Sequence, residues 1–182
     1  MKTQNTALYI LRLAVTLLLI TAILAGALAL VNKITAPRIA ALKAEKTQKA
    51  IEAVLPGGGE PMEVPKGAKL VSALYGSDTG YAVEVTPAGF DNTITMMVGV
   101  SRDGTVLGIS VISHTETAGL GAVAAAKNSA GEAFRGQFVG LSGELAVTKD
   151  GGQVDAITGA TVTSRAVTAG VNAALDCVEN MG

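Results

Sequence analysis

The chain has 182 residues and a formal net charge of −1 at pH 7. This length accommodates one domain plus a short additional segment, because a single core usually organises about 100 to 200 residues. The near-neutral charge, without a basic stripe and interleaved aromatic residues, argues against nucleic-acid binding. One cysteine, Cys177, and one histidine, His114, exclude an internal disulfide framework and argue against a zinc or histidine-relay site. Redox or group-transfer chemistry would therefore require a bound cofactor.

Residues 13–31 form an uncharged apolar run, LAVTLLLITAILAGALALV, between Arg12 and Lys33. As a helix the run covers roughly 28 Å, close to the thickness of the bilayer hydrocarbon. A core helix would carry a polar face, and this segment has none, so it predicts a transmembrane helix. The alternative is a cleaved signal peptide, for which Ala27-Leu28-Ala29 resembles a cleavage site. We favour a retained anchor, because the run is longer than most signal-peptide apolar regions.

The positive charges do not fix the orientation of this helix. Lys2 and Arg12 precede it. Five basic residues follow it: Lys33, Arg38, Lys43, Lys46 and Lys49. The count favours a cytoplasmic C-terminal part, but large domains translocate largely regardless of charge. The topology therefore stays open from charge alone.

Residues 32–60 predict an amphipathic helix and a linker, because spaced apolar residues alternate with charges until Pro56 and three glycines. Four strands are predicted next, in segments rich in β-branched residues: 69–76, 80–86, 93–101 and 105–113. Asp103-Gly104 separates the last two segments and is a strong hairpin signal.

The rest of the pattern predicts a short helix at 122–126, loops and a further strand between 134 and 158, and a final helix from Thr161. A turn is predicted at Asp150-Gly151. The order of elements predicts an α+β fold with a single N-terminal transmembrane helix. We divide the chain into a short tail (1–12), the transmembrane helix (13–31), the amphipathic helix and linker (32–60) and one mixed α+β domain (61–182).

The segment DAITGATVTSRAV, residues 155–167, concentrates hydroxyl groups at the start of the final helix. A helix start leaves several backbone N–H groups without partners, and a Ser or Thr oxygen can cap them. The same N–H groups and the positive end of the helix dipole can instead bind phosphate. Spacing alone leaves both interpretations of Thr158 open.

DAITGAT resembles the flavinylation motif of bacterial FMN-binding domains, in which the last threonine carries FMN through a phosphoester bond. The resemblance implies that Thr161 is the covalent attachment site and that Thr158, Gly159 and Ala160 shape the phosphate pocket. It also implies that a flavin transferase reads Asp155 during attachment, although Asp155 is equally well a solvated carboxylate at a strand end.

Thr163 and Ser164 are chemical rivals for attachment, but only Thr161 matches the motif. Lys149 either faces the polar edge or phosphate of the flavin or is an exposed turn lysine.

The upstream block HTETAGLG, residues 114–121, is similar to a second block of the same family, with Ala118 where proline is usual. The resemblance implies that four of its residues line the flavin ring: Glu116, Thr117, Gly119 and Leu120. Glu116 is also interpretable as a loop or N-cap charge. For His114 we favour a structural hydrogen bond over catalysis.

The two blocks, their separation, the hairpin and the N-terminal span together resemble the G subunit of Rnf ion-translocating electron-transport complexes, which is related to the C subunit of the sodium-translocating NADH:quinone reductase. The resemblance implies a domain on the outer side of the bacterial cytoplasmic membrane. Its covalent FMN would relay electrons between integral membrane subunits of a complex that couples ferredoxin and NAD chemistry to Na⁺ or H⁺ translocation. The implied partners are those subunits, a flavin transferase and membrane lipid. No catalytic or metal-binding residue is implied, which fits an electron-transfer subunit of a translocase rather than a self-contained enzyme.

Two alternatives remain open. One is a membrane-anchored FMN carrier that serves an extracytoplasmic reductase without an Rnf-type complex. The other, from a different class, is a flavin-free anchored binding or assembly domain whose TGAT segment is only a helix cap. A hydrolase is disfavoured, because the chain has no Gly-x-Ser-x-Gly nucleophile elbow.

Overall fold

The computed structural model describes residues 3–181, with side chains from residue 6 onward, so Lys2 lies outside the described residues. These residues divide into two compact units between Glu45 and Lys46. The helices are α1 (Thr3–Val54), α2 (Ser129–Gly136) and α3 (Thr161–Glu179), with two 3-10 turns at Gly121–Ala125 and Thr148–Asp150. The strands are β1 (Glu60–Met62), β2 (Val71–Gly76), β3 (Gly80–Val85), β4 (Thr95–Ser101) and β5 (Val106–Ser113).

The first unit consists of the N-terminal part of α1. Among the described residues, α1 alone is long and apolar enough to cross a membrane, and its large apolar side chains from Leu8 to Leu42 are exposed. One continuous helix covers the described part of the predicted tail, the apolar run and the predicted amphipathic helix. Pro37 lies inside α1 without ending it. The Ala, Leu, Lys and Glu residues around it are strong helix formers, which offsets the missing N–H group.

The second unit is built on a five-stranded antiparallel sheet in the order β1-β2-β3-β4-β5. The four predicted strands and the hairpin are confirmed, and the hairpin closes with Ser101 N–H donating to Thr105 O over 2.8 Å. Gly104 has φ +76°, which explains why glycine follows aspartate there. The remaining strand, β1, is only three residues long, and all three are exposed. It is not predicted from the sequence.

The region between β5 and α3 contains the largest errors of the sequence prediction. The short predicted helix is the 3-10 turn Gly121–Ala125, and α2 is not predicted because eight residues give too little periodicity. Asn128 caps α2 through its side chain. The further strand predicted before α3 is wrong, because only an isolated bridge joins Val147 and Val154. The predicted turn is confirmed, with Gly151 at φ +84°.

Both faces of the sheet are covered, because successive strand residues point to opposite sides. Val83 and Val98 pack on one face in the main core with α2 and α3. Ala82 and Met97 lie in a second cluster with the C-terminal end of α1, at Ala50, Ile51, Val54 and Leu55. Burial of the apolar side chains of α3 against the sheet fixes the position of this helix.

We predict that Gly99→Ala destabilises the domain. A Cβ atom at Gly99 would overlap the carbonyl oxygen of Val54 and lie 2.9 Å from Val54 Cβ. The last turn of α1 must then move off the sheet, and such overpacking costs about 1–3 kcal/mol. The melting temperature of the full chain in detergent should fall by several degrees.

Gly108 provides the matched control, because it pairs with Gly99 across the ladder. A Cβ at Gly108 would meet only atoms of Val54 at 3.9 Å, which is ordinary contact. Gly108→Ala should leave the melting temperature unchanged or raise it slightly. Equal effects of the two variants would contradict the proposed close packing.

Candidate functional site

The two sequence blocks meet at a half-open cavity of about 290 Å³ beside the start of α3. Seven residues predicted for the site line it: Glu116, Thr117, Leu120, Lys149, Gly159, Ala160 and Thr161. Four further lining residues were not among the predicted site residues: Phe90, Gly121, Val162 and Thr163. The predicted residues Gly119, Asp155 and Thr158 are not part of the lining.

The first turn of α3 presents backbone donors without a side-chain cap. Ala160, with φ −130° and ψ 44°, precedes the helix, and no side chain in the part of the chain that the structure describes caps it. The N-cap interpretation of Thr158 is therefore not supported. The N–H groups of Thr161, Val162 and Thr163 begin the helix beside the cavity. Free N–H groups together with the helix dipole favour an anion there.

The hydroxyl groups of this segment have different environments. Ser164 is fully buried, and its Oγ donates to Ala160 O and accepts from Ile157 N–H, each over 3.0 Å. Thr163 is buried as well, and its hydroxyl donates to Glu116 Oε2. Thr161 is partly exposed and lines the cavity. Among the three hydroxyls in the first turn of α3, only that of Thr161 is accessible, because the other two hold the fold together.

Lys149 is an exposed turn lysine and also contacts the predicted attachment residue. Its Nζ donates to Thr161 Oγ1 over 3.0 Å. The next residue, Asp150, accepts two hydrogen bonds from Arg165 of α3, from Nε over 2.7 Å and from Nη2 over 2.6 Å. This bidentate pair fastens the 3-10 turn to the first turns of α3 and so holds Lys149 beside Thr161. The hydrogen bond and charge of Arg165 lower the pKa of Asp150.

Glu116 is a buried carboxylate that joins three segments. It is 7% exposed, and its Oε1 accepts from the N–H groups of Phe90 and Asp91 over 2.9 and 3.3 Å. Its Oε2 accepts from the hydroxyl of Thr163. Glycines make room for this carboxylate, because a Cβ at Gly89 or Gly121 would overlap one of its oxygens. Glu116 is therefore neither an exposed loop charge nor an N-cap.

The remaining predicted residues contribute to the backbone of the site. Gly119 and Gly159 have φ of +75° and +76°, which only glycine adopts without strain. Asp155 is exposed, and its main chain is held by Gln137, whose amide accepts from Asp155 N–H over 2.7 Å. The hydrogen bond expected for His114 is not found at Nδ1, which is buried and unpartnered within residues 3–181.

Phe90 and Val162 are not predicted as site residues because neither carries a signal in the two blocks. Phe90 lies in the turn between β3 and β4, far from both blocks along the chain, and Val162 fits the helical spacing of core residues. Both are large apolar residues that stay exposed beside the cavity. Val162 is adjacent to Thr161 in the chain, whereas Phe90 reaches the site only through the fold.

Comparisons with known proteins agree with this location. The FMN-binding domain family matches residues 89–176, which include every lining residue. The chain is 36% identical over 180 residues to the G subunit of the ion-translocating oxidoreductase complex of Methanosarcina acetivorans, covering 92% of this chain and 93% of the relative. It is 33% identical, over an alignment of 196 residues, to the G subunit of the Na⁺-translocating ferredoxin:NAD⁺ oxidoreductase complex of Acetobacterium woodii. This alignment covers 93% of this chain and 92% of the relative. It is 37% identical over 168 residues to the G subunit of the proton-translocating ferredoxin:NAD⁺ oxidoreductase complex of Clostridium ljungdahlii, covering 88% of each chain.

The lining fits FMN chemically. Lys149 and the start of α3 supply positive charge and N–H donors for a phosphate. Phe90, Leu120 and Val162 supply apolar surface for an aromatic ring system. The volume is near the lower end of the range of about 300–1,000 Å³ for ligand pockets, which suits a ligand that is only partly enclosed.

We predict that the Asp150–Arg165 pair makes a small, pH-dependent contribution to stability. The folded chain lowers the pKa of Asp150, so the contribution is complete above the ordinary aspartate pKa of about 3.9. It is lost as the pH falls through the lowered value. The melting temperature of Asp150→Asn should therefore lie below that of the wild type at neutral pH and converge with it in acid.

The substitution Glu144→Gln provides the control, because this carboxylate is also exposed but lies outside the ion pair. High salt should also reduce the effect of Asp150→Asn. A melting difference that stays constant from neutral pH to acid would contradict a role for this ion pair.

Proposed function

This chain belongs to the G-subunit family of ion-translocating oxidoreductase complexes, and from that premise we propose that it relays electrons through FMN esterified to Thr161. In this proposal it is a membrane-anchored subunit of a complex that couples ferredoxin:NAD⁺ electron transfer to the movement of Na⁺ or H⁺. Other integral membrane subunits supply and accept the electrons. When bound, FMN supplies the redox chemistry, and the protein sets its position and electrostatic surroundings.

The observation that carries the proposal is the environment of the Thr161 hydroxyl. This hydroxyl lies at the cavity and accepts a hydrogen bond from Lys149. Its residue is the first of a helix that has no side-chain cap. Attachment forms a bond between Thr161 Oγ1 and the phosphorus of a flavin nucleotide, breaks the bond from that phosphorus to its leaving group and releases the hydroxyl proton. The chain gains the mass of FMN less one water. The resulting diester retains a negative charge. Lys149 and the free N–H groups of α3 stabilise that charge where it forms.

Attachment also requires a flavin transferase, which we propose recognises the segment that precedes α3. Asp155 supports this role, because its side chain is exposed while its main chain is fixed by Gln137. An exposed carboxylate on a fixed backbone is accessible to an enzyme without disturbing the cavity. Membrane lipid would contact the exposed apolar side chains of α1.

We predict that Thr161→Ala abolishes covalent flavin while the domain stays folded, because the side chain is partly exposed and supports no core contact. The chain should be produced in a host that contains a flavin transferase. Fluorescence of the denatured protein in a gel should disappear, and the peptide that contains residue 161 should lose the mass of FMN less one water.

Two further variants make this test specific. Thr79→Ala removes an exposed hydroxyl in the turn between β2 and β3, outside the cavity and outside the segment before α3, and should retain the flavin. Lys149→Gln removes the charge beside Oγ1 and should slow attachment about tenfold, the size expected for losing one hydrogen bond to a charged group. Unmodified peptides from wild-type protein matured in its own host would refute the attachment.

We further propose that the FMN-binding domain lies on the outer side of the cytoplasmic membrane. The relatives belong to ion-translocating complexes, and an ester bond prevents loss of the cofactor into an open compartment. Lys127→Cys places a thiol on an exposed residue, whereas Cys177 is buried, which also raises the pKa of its thiol. A membrane-impermeant maleimide should label the variant in intact spheroplasts but not the wild type. Labelling that requires lysis would place the domain inside.

A further inference from the structure

Three large apolar side chains remain exposed at the cavity. Phe90 is 70% exposed, Val162 is 47% exposed and Leu120 is 43% exposed. They come from three separate parts of the chain: the turn after β3, the loop after β5 and the first turn of α3. A cluster of exposed apolar side chains at a concave surface indicates a ligand contact. Phe90 is the aromatic member and the most exposed.

Hydrogen bonds within the turn and to Glu116 hold the turn that carries Phe90 in place. Within residues 87–94, Ile94 N–H donates to Pro87 O over 2.9 Å and Gly89 N–H donates to Asn92 O over 2.8 Å. The turn is then attached to the site by the hydrogen bonds from Phe90 N–H and Asp91 N–H to Glu116. Gly89 lies against the same carboxylate, where a Cβ would overlap Oε1. The backbone of Phe90 is therefore fixed while its side chain is left uncovered.

We propose that Phe90 is a contact for the flavin ring system and that Glu116 is a positioning residue that acts through Phe90. The proposal rests on the FMN site proposed above. A planar aromatic ring covers the flavin against solvent and packs on it in an offset or edge-on arrangement. Glu116 uses both carboxylate oxygens on protein donors, which fixes the Phe90 turn relative to α3, where Thr161 begins the helix.

The contact is tested by the solvent accessibility of the flavin in the full chain, flavinylated and purified in detergent. Phe90→Ala should raise the Stern–Volmer constant for iodide quenching of flavin fluorescence at least about twofold, because one aromatic cover is removed. Phe90→Leu keeps a large apolar side chain that does not quench flavin fluorescence by electron transfer, and it should stay close to the wild type. Val139→Ala, which truncates an apolar side chain of similar exposure outside the cavity, should have no effect. An unchanged quenching constant in Phe90→Ala would overturn the contact.

The role of Glu116 is tested in the same assay. Glu116→Ala removes the acceptor of the Phe90 turn and should raise the quenching constant, whereas Glu116→Gln keeps an oxygen for those N–H groups and should restore most of the wild-type value. If Glu116 acts through Phe90, Glu116→Ala should add little in a Phe90→Ala background. The positioning role would be overturned if the two substitutions raised the quenching constant additively. It would also be overturned if the flavin were as accessible to iodide in Glu116→Gln as in Glu116→Ala. Should Glu116→Ala fail to fold, Gly89→Ala disturbs the same hydrogen bonds while retaining the carboxylate.

Attachment is measured separately, by fluorescence of the denatured chain. The quenching constants of Phe90→Ala and Glu116→Gln are determined on their covalently bound flavin, whose amount this measurement gives. Wild-type protein without covalent flavin would overturn the proposed function and this inference with it. Flavinylated variants with wild-type accessibility would overturn the inference alone.

Discussion

The buried carboxylate of Glu116 is the interaction on which the site depends. Burying a charge is unfavourable unless it is fully hydrogen-bonded, and here Phe90, Asp91 and Thr163 supply the donors. The three donors lie far from Glu116 along the sequence, so their geometry is correct only when the sheet, the loop and α3 are assembled. Removing the carboxylate would leave these donors without their acceptor, and a buried donor without a partner is costly. The cavity is therefore coupled to the packing of the domain.

At the start of α3, two hydroxyl groups are used within the fold and one is accessible at the cavity. Ser164 and Thr163 satisfy buried partners, and Thr161 is left at the surface beside Lys149. A side-chain cap would stabilise the helix by about 0.5–2 kcal/mol, yet Ala160 occupies the cap position. Leaving helix donors uncapped is locally unfavourable, and such local conflicts concentrate at functional sites. The phosphate of the proposed FMN site would supply the missing acceptor for these donors.

The predictability of each part follows from the range of the interactions that determine it. The strands and the hairpin are encoded locally, by alternating β-branched residues and by Asp103-Gly104, so the sequence predicts them well. The isolated bridge between Val147 and Val154 and the short helix α2 depend on tertiary contacts, and their local pattern misled the prediction. The two blocks located Thr161 and Glu116. The sequence pattern did not indicate that Phe90 faces the same cavity, because the turn after β3 reaches it only through the fold.

The shape of the cavity is consistent with the proposed covalent attachment of its ligand. A half-open cavity of this size leaves part of a nucleotide-sized ligand exposed, which limits the free energy that noncovalent contacts contribute. The proposed ester to Thr161 would make ring binding intramolecular, so modest contacts with Phe90 and Leu120 would suffice at a high effective concentration. In this proposal, the uncovered part of the ring would remain available for electron exchange with neighbouring subunits. Deeper burial would hold FMN without a bond, but it would also shield the ring from its redox partners.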